Sequence, residues 1–442
     1  MSKIRGMRRI PASAIGVTCA TALALPLAPS AGAATAGPGQ PTRAAPRAAV
    51  TAGSGTAGST ESLPLQPLDP DRASGAATFG LTPRSVRNFS LLGVVWDDPA
   101  AELQGRVQVR TRAARTGSWS DWRDVEARNA DHAADPGTSD SGERASGRVR
   151  GATAPLWVGD SDGVEIRVLA ESGSPGRTGT ADENPESAES AESAENTALP
   201  LPSGMRLELV DPGEGTPSAD GTAGGTGAQR KGTVARQRAN PYIGPRPDVV
   251  TRADWGADES LRAEGFVYTD EVDAAFVHHT ASGNDYTCEE APSLIRGIYR
   301  YHTESMGWRD IGYNFLVDKC GKVYEGRAGG VAEPVLGAHT LGFNSDTMGV
   351  AVLGTYDSTE PSDSAVKGVA RLTAWKLGLY GVDPNAKTYL TSGGGNLYAK
   401  GTKVRLNVIS GHRDGFNTLC PGGKLYDQLG TTRSTAAGYQ GR

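Results

Sequence analysis

The chain has 442 residues, which exceeds one typical hydrophobic core and leaves room for two domains with connecting segments. Its 45 basic and 50 acidic side chains give a formal net charge of -5. This balance argues against a nucleic-acid partner, because polyphosphate binding usually requires a basic surplus. Glycine (59) and proline (27) are abundant for a globular protein, so we expect folded domains separated by linkers.

The first 36 residues have the pattern of a secretion signal. Basic residues come first, an apolar alanine-rich run follows over 12–28, and small residues then offer cleavage sites. A membrane anchor is the alternative, although Pro26 and Pro29 interrupt the run. We expect a secreted protein, extracellular or associated with the cell wall, with no membrane span once the signal is removed.

The cysteine count points to a use for one thiol. Removal of the signal would remove Cys19 and leave Cys288, Cys320 and Cys420. Three is odd, so one cysteine lacks an intramolecular disulfide partner. Disulfides persist outside the cytoplasm, where a lone thiol is a liability unless it is used, and metal binding is the natural use.

Residues 37–75 are rich in small residues and proline, and we interpret them as a disordered leader. Short strand patterns then recur over 76–211, which predicts an all-β, sandwich-like domain. Polar insertions at 128–150 and 171–200 have no apolar face and are predicted to be disordered. A linker over 212–241 follows. The strand patterns lie at 90–96, 105–111, 156–158, 164–169 and 205–210.

The last part of the chain, 242–442, mixes two kinds of pattern. Apolar residues recur at helical spacing over 289–304 and 363–380. Strand patterns lie between and around them, at 274–278, 313–318, 322–325, 348–353 and 404–409. Strands interleaved with helices predict an α/β domain with a mixed sheet flanked by helices.

Three residues in this domain have the chemistry of a metal site. His278 and His412 each end a predicted strand, and Cys420 follows His412 by eight residues. Two imidazoles and a thiolate suit zinc, and three protein ligands leave a fourth position open, as in catalytic sites. The alternative is two core histidines and a buried thiol. His132 lies in an aspartate-rich loop and is interpreted as inert.

A series of motifs, in order, resembles the peptidoglycan recognition protein and type-2 N-acetylmuramoyl-L-alanine amidase family. The resemblance covers about residues 245–435, and the whole chain is similar to secreted cell-wall amidases of high-GC Gram-positive bacteria. The motifs lie at 276–281, 307–315, 323–327, 337–339, 344, 348–351, 411–414 and 420–422.

The resemblance implies a zinc (Zn2+) site and catalytic roles. His278, His412 and Cys420 match the family's zinc ligands, and Tyr313 matches the tyrosine that faces the water at the metal. Thr418 occupies a position that carries lysine in a phage relative and threonine in many recognition-protein amidases. The implied reaction is hydrolysis of the amide between the lactyl group of N-acetylmuramic acid and L-alanine. The alternative is a non-catalytic peptidoglycan-binding protein on the same fold.

The resemblance also implies substrate contacts. Trp308 and Arg327 would read the stem peptide, with packing of the tryptophan and an ion pair of the arginine as the alternative. His339 and Asn344 would contact the wall glycopeptide, with packing as the alternative for His339. The expected partner is peptidoglycan or its muropeptide fragments, bound by a monomer.

Family members carry a disulfide comparable to Cys288–Cys320, and this pairing is implied here. It would close a loop of about 32 residues and stabilise the fold by roughly 3 kcal/mol. A third interpretation gives the N-terminal domain a glycan-binding role through its tryptophans, although tryptophans in such domains more often lie in the core.

Overall fold

The structure, a computed structural model, describes residues 57–68, 78–127, 132–135, 147–171, 199–215 and 242–442. The predicted signal, 1–36, lies outside these ranges, as do most of the insertion at 171–200 and most of the linker. Within the described ranges, no helix combines the length and the apolar composition needed to cross a bilayer.

The N-terminal domain is built on one antiparallel sheet, which confirms the all-β prediction. In the described residues its order is β1-β8-β3-β7-β4-β5, with β2 and β6 also paired to β3. Alternate residues of the central strands, such as Val107, Val109 and Ile166, share one buried core. The strands are β1 (Ser59–Pro64), β2 (Gln66–Pro67), β3 (Thr78–Trp96), β4 (Gly105–Ala113), β5 (Arg123–Val125), β6 (Gly151–Ala152), β7 (Leu156–Ala170) and β8 (Arg206–Asp211).

Two segments that we predicted to be disordered have defined positions in the fold. Strands β1 and β2 lie inside the predicted leader, and β1 pairs with β8 along its whole length. Residues 132–135 lie inside the predicted insertion at 128–150, and all four are buried. The disorder prediction is therefore wrong for these two pieces, because main-chain pairing and contacts far along the chain hold them.

The C-terminal domain has a mixed sheet of order β16-β10-β13-β11-β12-β9. The four strands β16, β10, β13 and β11 run parallel, and β12 pairs antiparallel with β11 to form the predicted hairpin. Two further strands, β14 and β15, pair antiparallel apart from this sheet, and the predicted strand at 404–409 covers most of β15. The strands are β9 (Val249–Val250), β10 (Ala274–His279), β11 (Phe315–Val317), β12 (Val323–Glu325), β13 (Thr347–Val352), β14 (Lys387–Thr391), β15 (Lys403–Asn407) and β16 (Ile409–Gly411).

Helices cover both faces of this sheet, as the α/β prediction requires. In β13, Ala351 packs in the cluster that contains Leu294 and Ile298 of α1, whereas Val350 and Val352 pack in the cluster that contains α2. The helices are α1 (Ala291–Arg300), continued by a π-helical turn (Tyr301–Ser305), α2 (Asp363–Leu379), α3 (Gly423–Asp427) and α4 (Leu429–Tyr439). The Cys288–Cys320 disulfide is present and ties the segment before α1 to the β11–β12 turn.

The two domains share a hydrophobic core. Leu91 and Trp157 of the N-terminal sheet belong to the same buried cluster as Tyr301 and α1. The Tyr301 hydroxyl donates to the Thr153 carbonyl at 3.1 Å, and it can approach because Gly93 has no Cβ, which would lie 2.3 Å from that hydroxyl. The N-terminal domain is therefore packed against α1 rather than tethered at a distance.

Candidate metal centre

The parallel strands β10 and β16 bring two histidines together. In their register Val277 faces Gly411, so the next residues, His278 and His412, emerge side by side at the carboxyl edge of the sheet. Their ring centroids lie 4.4 Å apart, and both side chains are fully buried. The structure therefore brings together the two histidines that the sequence placed at strand ends.

Cys420 reaches the same point from the turn after β16. The Arg413 amide donates to the Cys420 carbonyl at 3.0 Å, which folds the segment back onto the strand end. The Cys420 sulfur lies 3.8 Å from Nδ1 of His278 and is buried. The structure therefore gathers all three predicted ligands.

A fourth side chain, His132, lies in this cluster, so the interpretation of His132 as inert is wrong. Its ring centroid is 4.6 Å from that of His412 and 5.2 Å from that of His278. One ligand atom from each of the four residues lies within 4.8 Å of every other. His132 belongs to the N-terminal domain, so no local spacing in the sequence could have indicated this contact.

The chemistry of these side chains fits a zinc ion. In a tetrahedral site with bonds of about 2.0–2.3 Å, ligand atoms lie about 3.3–3.7 Å from one another, close to the spacing between Cys420 and His278. Burial first, and the neighbouring imidazoles second, lower the pKa of His278 well below 6.5, so the ring is neutral and offers a lone pair. Imidazole and thiolate are the ligands that zinc prefers.

The hydrogen bonds around His339 decide which nitrogen of His278 faces the cluster. Thr347 donates its hydroxyl proton to the Phe343 carbonyl at 2.5 Å and so accepts from Nε2 of His339 at 3.4 Å. The other ring nitrogen, Nδ1 of His339, is then an acceptor, and it lies 3.3 Å from Nε2 of His278 and 3.0 Å from the Thr340 hydroxyl, so the two donors share it. The lone pair of His278 Nδ1 is left pointing toward Cys420.

His339 is thus a positioning residue for His278. It is fully buried, which favours packing over the alternative of a contact between His339 and the wall glycopeptide. Its ring fits over Gly349, where a Cβ would come within 2.4 Å of it. Outer partners of this kind fix the orientation of ligating histidines in metal sites.

The two predicted catalytic side chains differ in their placement. The Tyr313 ring lies beside the cluster, with its centroid 5.6 Å from that of His278, and it is only 4% exposed. The Thr418 hydroxyl accepts a hydrogen bond from the Cys420 amide at 3.2 Å and stays partly exposed. Thr418 therefore supports the backbone of the cysteine.

Trp308 and Arg327, predicted to read the stem peptide, are both 5% exposed. Trp308 packs on His302, with ring centroids 4.6 Å apart, which favours the packing alternative. The Arg327 guanidinium donates to the carbonyls of Ile311 and Leu336 at 2.9 and 3.4 Å.

Asn344 is held by the segment that carries His132. Its side-chain amide donates to the Ala133 carbonyl at 2.8 Å and to the Asp135 carboxylate at 2.7 Å. Its oxygen accepts from the amides of His339 and Thr340. The predicted wall-contact position of Asn344 is thus occupied from within the chain, and Asp135 is a second residue that the sequence interpretation missed.

Comparison with known protein families gives two matches. Residues 46–197 match the family described as Rv3811 N-terminal galactose-binding domain-like, and residues 268–423 match N-acetylmuramoyl-L-alanine amidase. The first range contains His132, whereas the second contains His278, His412 and Cys420. The cluster therefore draws on both matched regions.

Individual relatives match the C-terminal domain. The chain is 30% identical over 183 residues to peptidoglycan-recognition protein SC2 of Drosophila simulans, covering 41% of this chain and 85% of that protein. It is 31% identical over 211 residues to human N-acetylmuramoyl-L-alanine amidase, covering 46% of this chain and 31% of that protein. Among solved structures, wild-type Drosophila PGRP-LB aligns with a TM-score of 0.34 and 23% identity, over 42% of this chain and 94% of that one. On its similarity to protein SC2, this chain belongs to the peptidoglycan recognition protein and type-2 N-acetylmuramoyl-L-alanine amidase family.

Proposed function

We propose that this protein is a secreted, zinc-dependent N-acetylmuramoyl-L-alanine amidase. It would hydrolyse the amide between the lactyl group of N-acetylmuramic acid and the L-alanine of the stem peptide. The observation that carries the proposal is the buried set of His278, His412 and Cys420 at the carboxyl edge of parallel strands, inside the range that matches the amidase family. Secretion rests on the signal pattern of the first 36 residues.

The donor set explains how the site would hold its metal. His278, His412 and Cys420 would be the ligands, with His278 oriented by His339. Zinc, when bound, supplies Lewis-acid chemistry, polarising a carbonyl and making water more acidic at neutral pH. The other catalytic roles would belong to the side chains around the metal.

Tyr313 is the side chain best placed to act on the substrate. It borders His278, and a phenol held there would donate a hydrogen bond to the amide oxygen as negative charge develops on it. Thr418, whose oxygen already accepts from the Cys420 amide, keeps its own proton to donate. A lysine is absent from this position, so the proton transfers depend on the tyrosine and on water.

A wall-binding protein without turnover is the second candidate, since relatives of this chain are named for peptidoglycan recognition. The cysteine distinguishes the two candidates. A site used only for recognition has no need for three metal-binding side chains brought together and buried, whereas hydrolysis does. The complete set favours the enzyme.

Elemental analysis and mass spectrometry of muropeptide products test the proposal on the wild-type chain, Cys420→Ser and Leu419→Ser. Leu419 is the matched control, because it precedes the cysteine and its side chain is 57% exposed. We expect the wild type and Leu419→Ser to bind one zinc ion and release free stem peptide, and Cys420→Ser to lose both. Binding of muropeptides without zinc or cleavage would favour the recognition candidate instead.

A further inference from the structure

The segment His132–Asp135 belongs to the N-terminal domain but lies in the centre of the C-terminal one. All four residues are at least nine-tenths buried. The centroid of the His132 ring lies 4.6 Å from that of His412 and 5.5 Å from that of Tyr313. It thus sits among the residues that the proposed reaction needs.

We propose that His132 is a fourth protein ligand of the metal site and that the segment His132–Asp135 holds the protein in a latent form. This inference rests on the proposed function. Three protein ligands leave a coordination position for water or substrate, whereas four close the site as in structural zinc centres. The set of His132, His278, His412 and Cys420 has its ligand atoms within 4.8 Å of one another.

Asp135 anchors the segment beside Asn344. Its carboxylate accepts from the Gly342 amide at 2.6 Å, from the Asn344 amide at 3.0 Å and from the Asn344 side chain at 2.7 Å. The Ala133 carbonyl accepts from the same side chain at 2.8 Å. A carboxylate and a peptide carbonyl are groups that a stem peptide also carries, so the segment competes with substrate for Asn344.

The domain interface makes the competition intramolecular. The segment begins seven residues after β5 ends at Val125, and β5 lies in a sheet packed against α1. Attachment at a short distance gives the segment a high effective concentration at the metal site. A closed form favoured tenfold would leave about a tenth of the molecules competent at any time.

Cobalt spectra test the ligand directly. The full chain is loaded with Co2+ in place of zinc, and azide is added as a small anionic ligand. We expect azide to leave the cobalt absorption of the wild type unchanged and to shift it in His132→Ala, where a position is open. Zinc affinity, measured by competition with a chelator, should fall about tenfold or more in His132→Ala with the loss of one ligand.

Turnover of the zinc-loaded chains on muropeptides tests latency. At saturating zinc we expect His132→Ala to turn over at least about tenfold faster than the wild type, although it binds zinc more weakly. Asp135→Ala keeps His132 but removes the carboxylate that anchors the segment, so it should also raise turnover. Asp121→Ala, a change of an exposed aspartate in the same domain, is the matched control and should behave as the wild type.

Each result decides one claim. Equal azide responses and equal zinc affinities in the wild type and His132→Ala would refute the assignment of His132 as a fourth metal ligand. Equal turnover in the wild type, His132→Ala and Asp135→Ala would overturn the latent form while leaving the amidase. Absence of cleavage in every chain would refute the proposed function, and the cobalt spectra would still decide whether His132 binds the metal. If His132→Ala does not fold, Asp135→Ala carries the test of latency.

Discussion

The bond between His278 and His339 gives the sharpest prediction about the site. His339→Phe keeps a ring over Gly349 but removes the acceptor that lies 3.3 Å from His278 Nε2. Both histidines are fully buried, so no solvent replaces the lost partner. An unsatisfied buried donor costs about 1–3 kcal/mol, and loss of such a partner lowers metal affinity about 10–100-fold.

Chelator competition measures the affinity for zinc, and urea unfolding of the metal-free chain measures stability. His339→Gln should recover part of the affinity, because its carbonyl oxygen can accept from His278. His279→Gln is the control on the same strand, since Nδ1 of His279 accepts from the Tyr356 amide instead. A His339→Phe chain that bound zinc as tightly as the wild type would refute the positioning role.

Three further changes test other parts of the account. Burial is the main cause that lowers the pKa of His302 from 6.5 to about 3. As the pH falls from 6.5 toward 3, this histidine is protonated in the unfolded chain but not in the folded one, so the folded state loses stability. The free energy of unfolding should fall by about 2 kcal/mol between pH 6.5 and 5 because of this group. An equal pH dependence in His302→Gln would contradict this. Replacing Cys288 and Cys320 by serine should cost about 3–4 kcal/mol, because the bridge closes a loop with a separation of 32 residues; an unchanged unfolding midpoint would exclude a stabilising bridge. Tyr313→Phe should keep zinc and lose most turnover, and full turnover in that variant would remove the phenol from the reaction.

The sequence predicted those parts of the fold that local patterns encode. Periodic apolar residues indicated α1, α2 and most strands. Two strand-ending histidines and a cysteine suggested the metal site, and the family resemblance identified them as its ligands. The contribution of His132 could not be predicted, since it depends on the packing of one domain against the other. The role of His339 could not be predicted either, because a hydrogen bond between two buried imidazoles has no characteristic residue spacing in the sequence.

The segment around His132 shows why composition alone misleads. An aspartate-rich, polar stretch indicates solvent exposure, yet Asp135 is 3% exposed because backbone amides at Gly342 and Asn344 satisfy its carboxylate. Burial of a charged group is tolerated when hydrogen bonds replace its water. Such partners lie far along the chain and are visible only in three dimensions.

The proposed activity of this chain is hydrolysis of the amide between muramic acid and L-alanine. The most direct test uses a defined muropeptide in water enriched in oxygen-18. The zinc-loaded wild type and His132→Ala are each allowed to react with it, and the products are analysed by mass spectrometry. We predict label in the lactyl carboxylate of the glycan product and an unlabelled stem peptide with a free L-alanine amine. An intact muropeptide with both chains, or label in the stem peptide from cleavage at another bond, would contradict it.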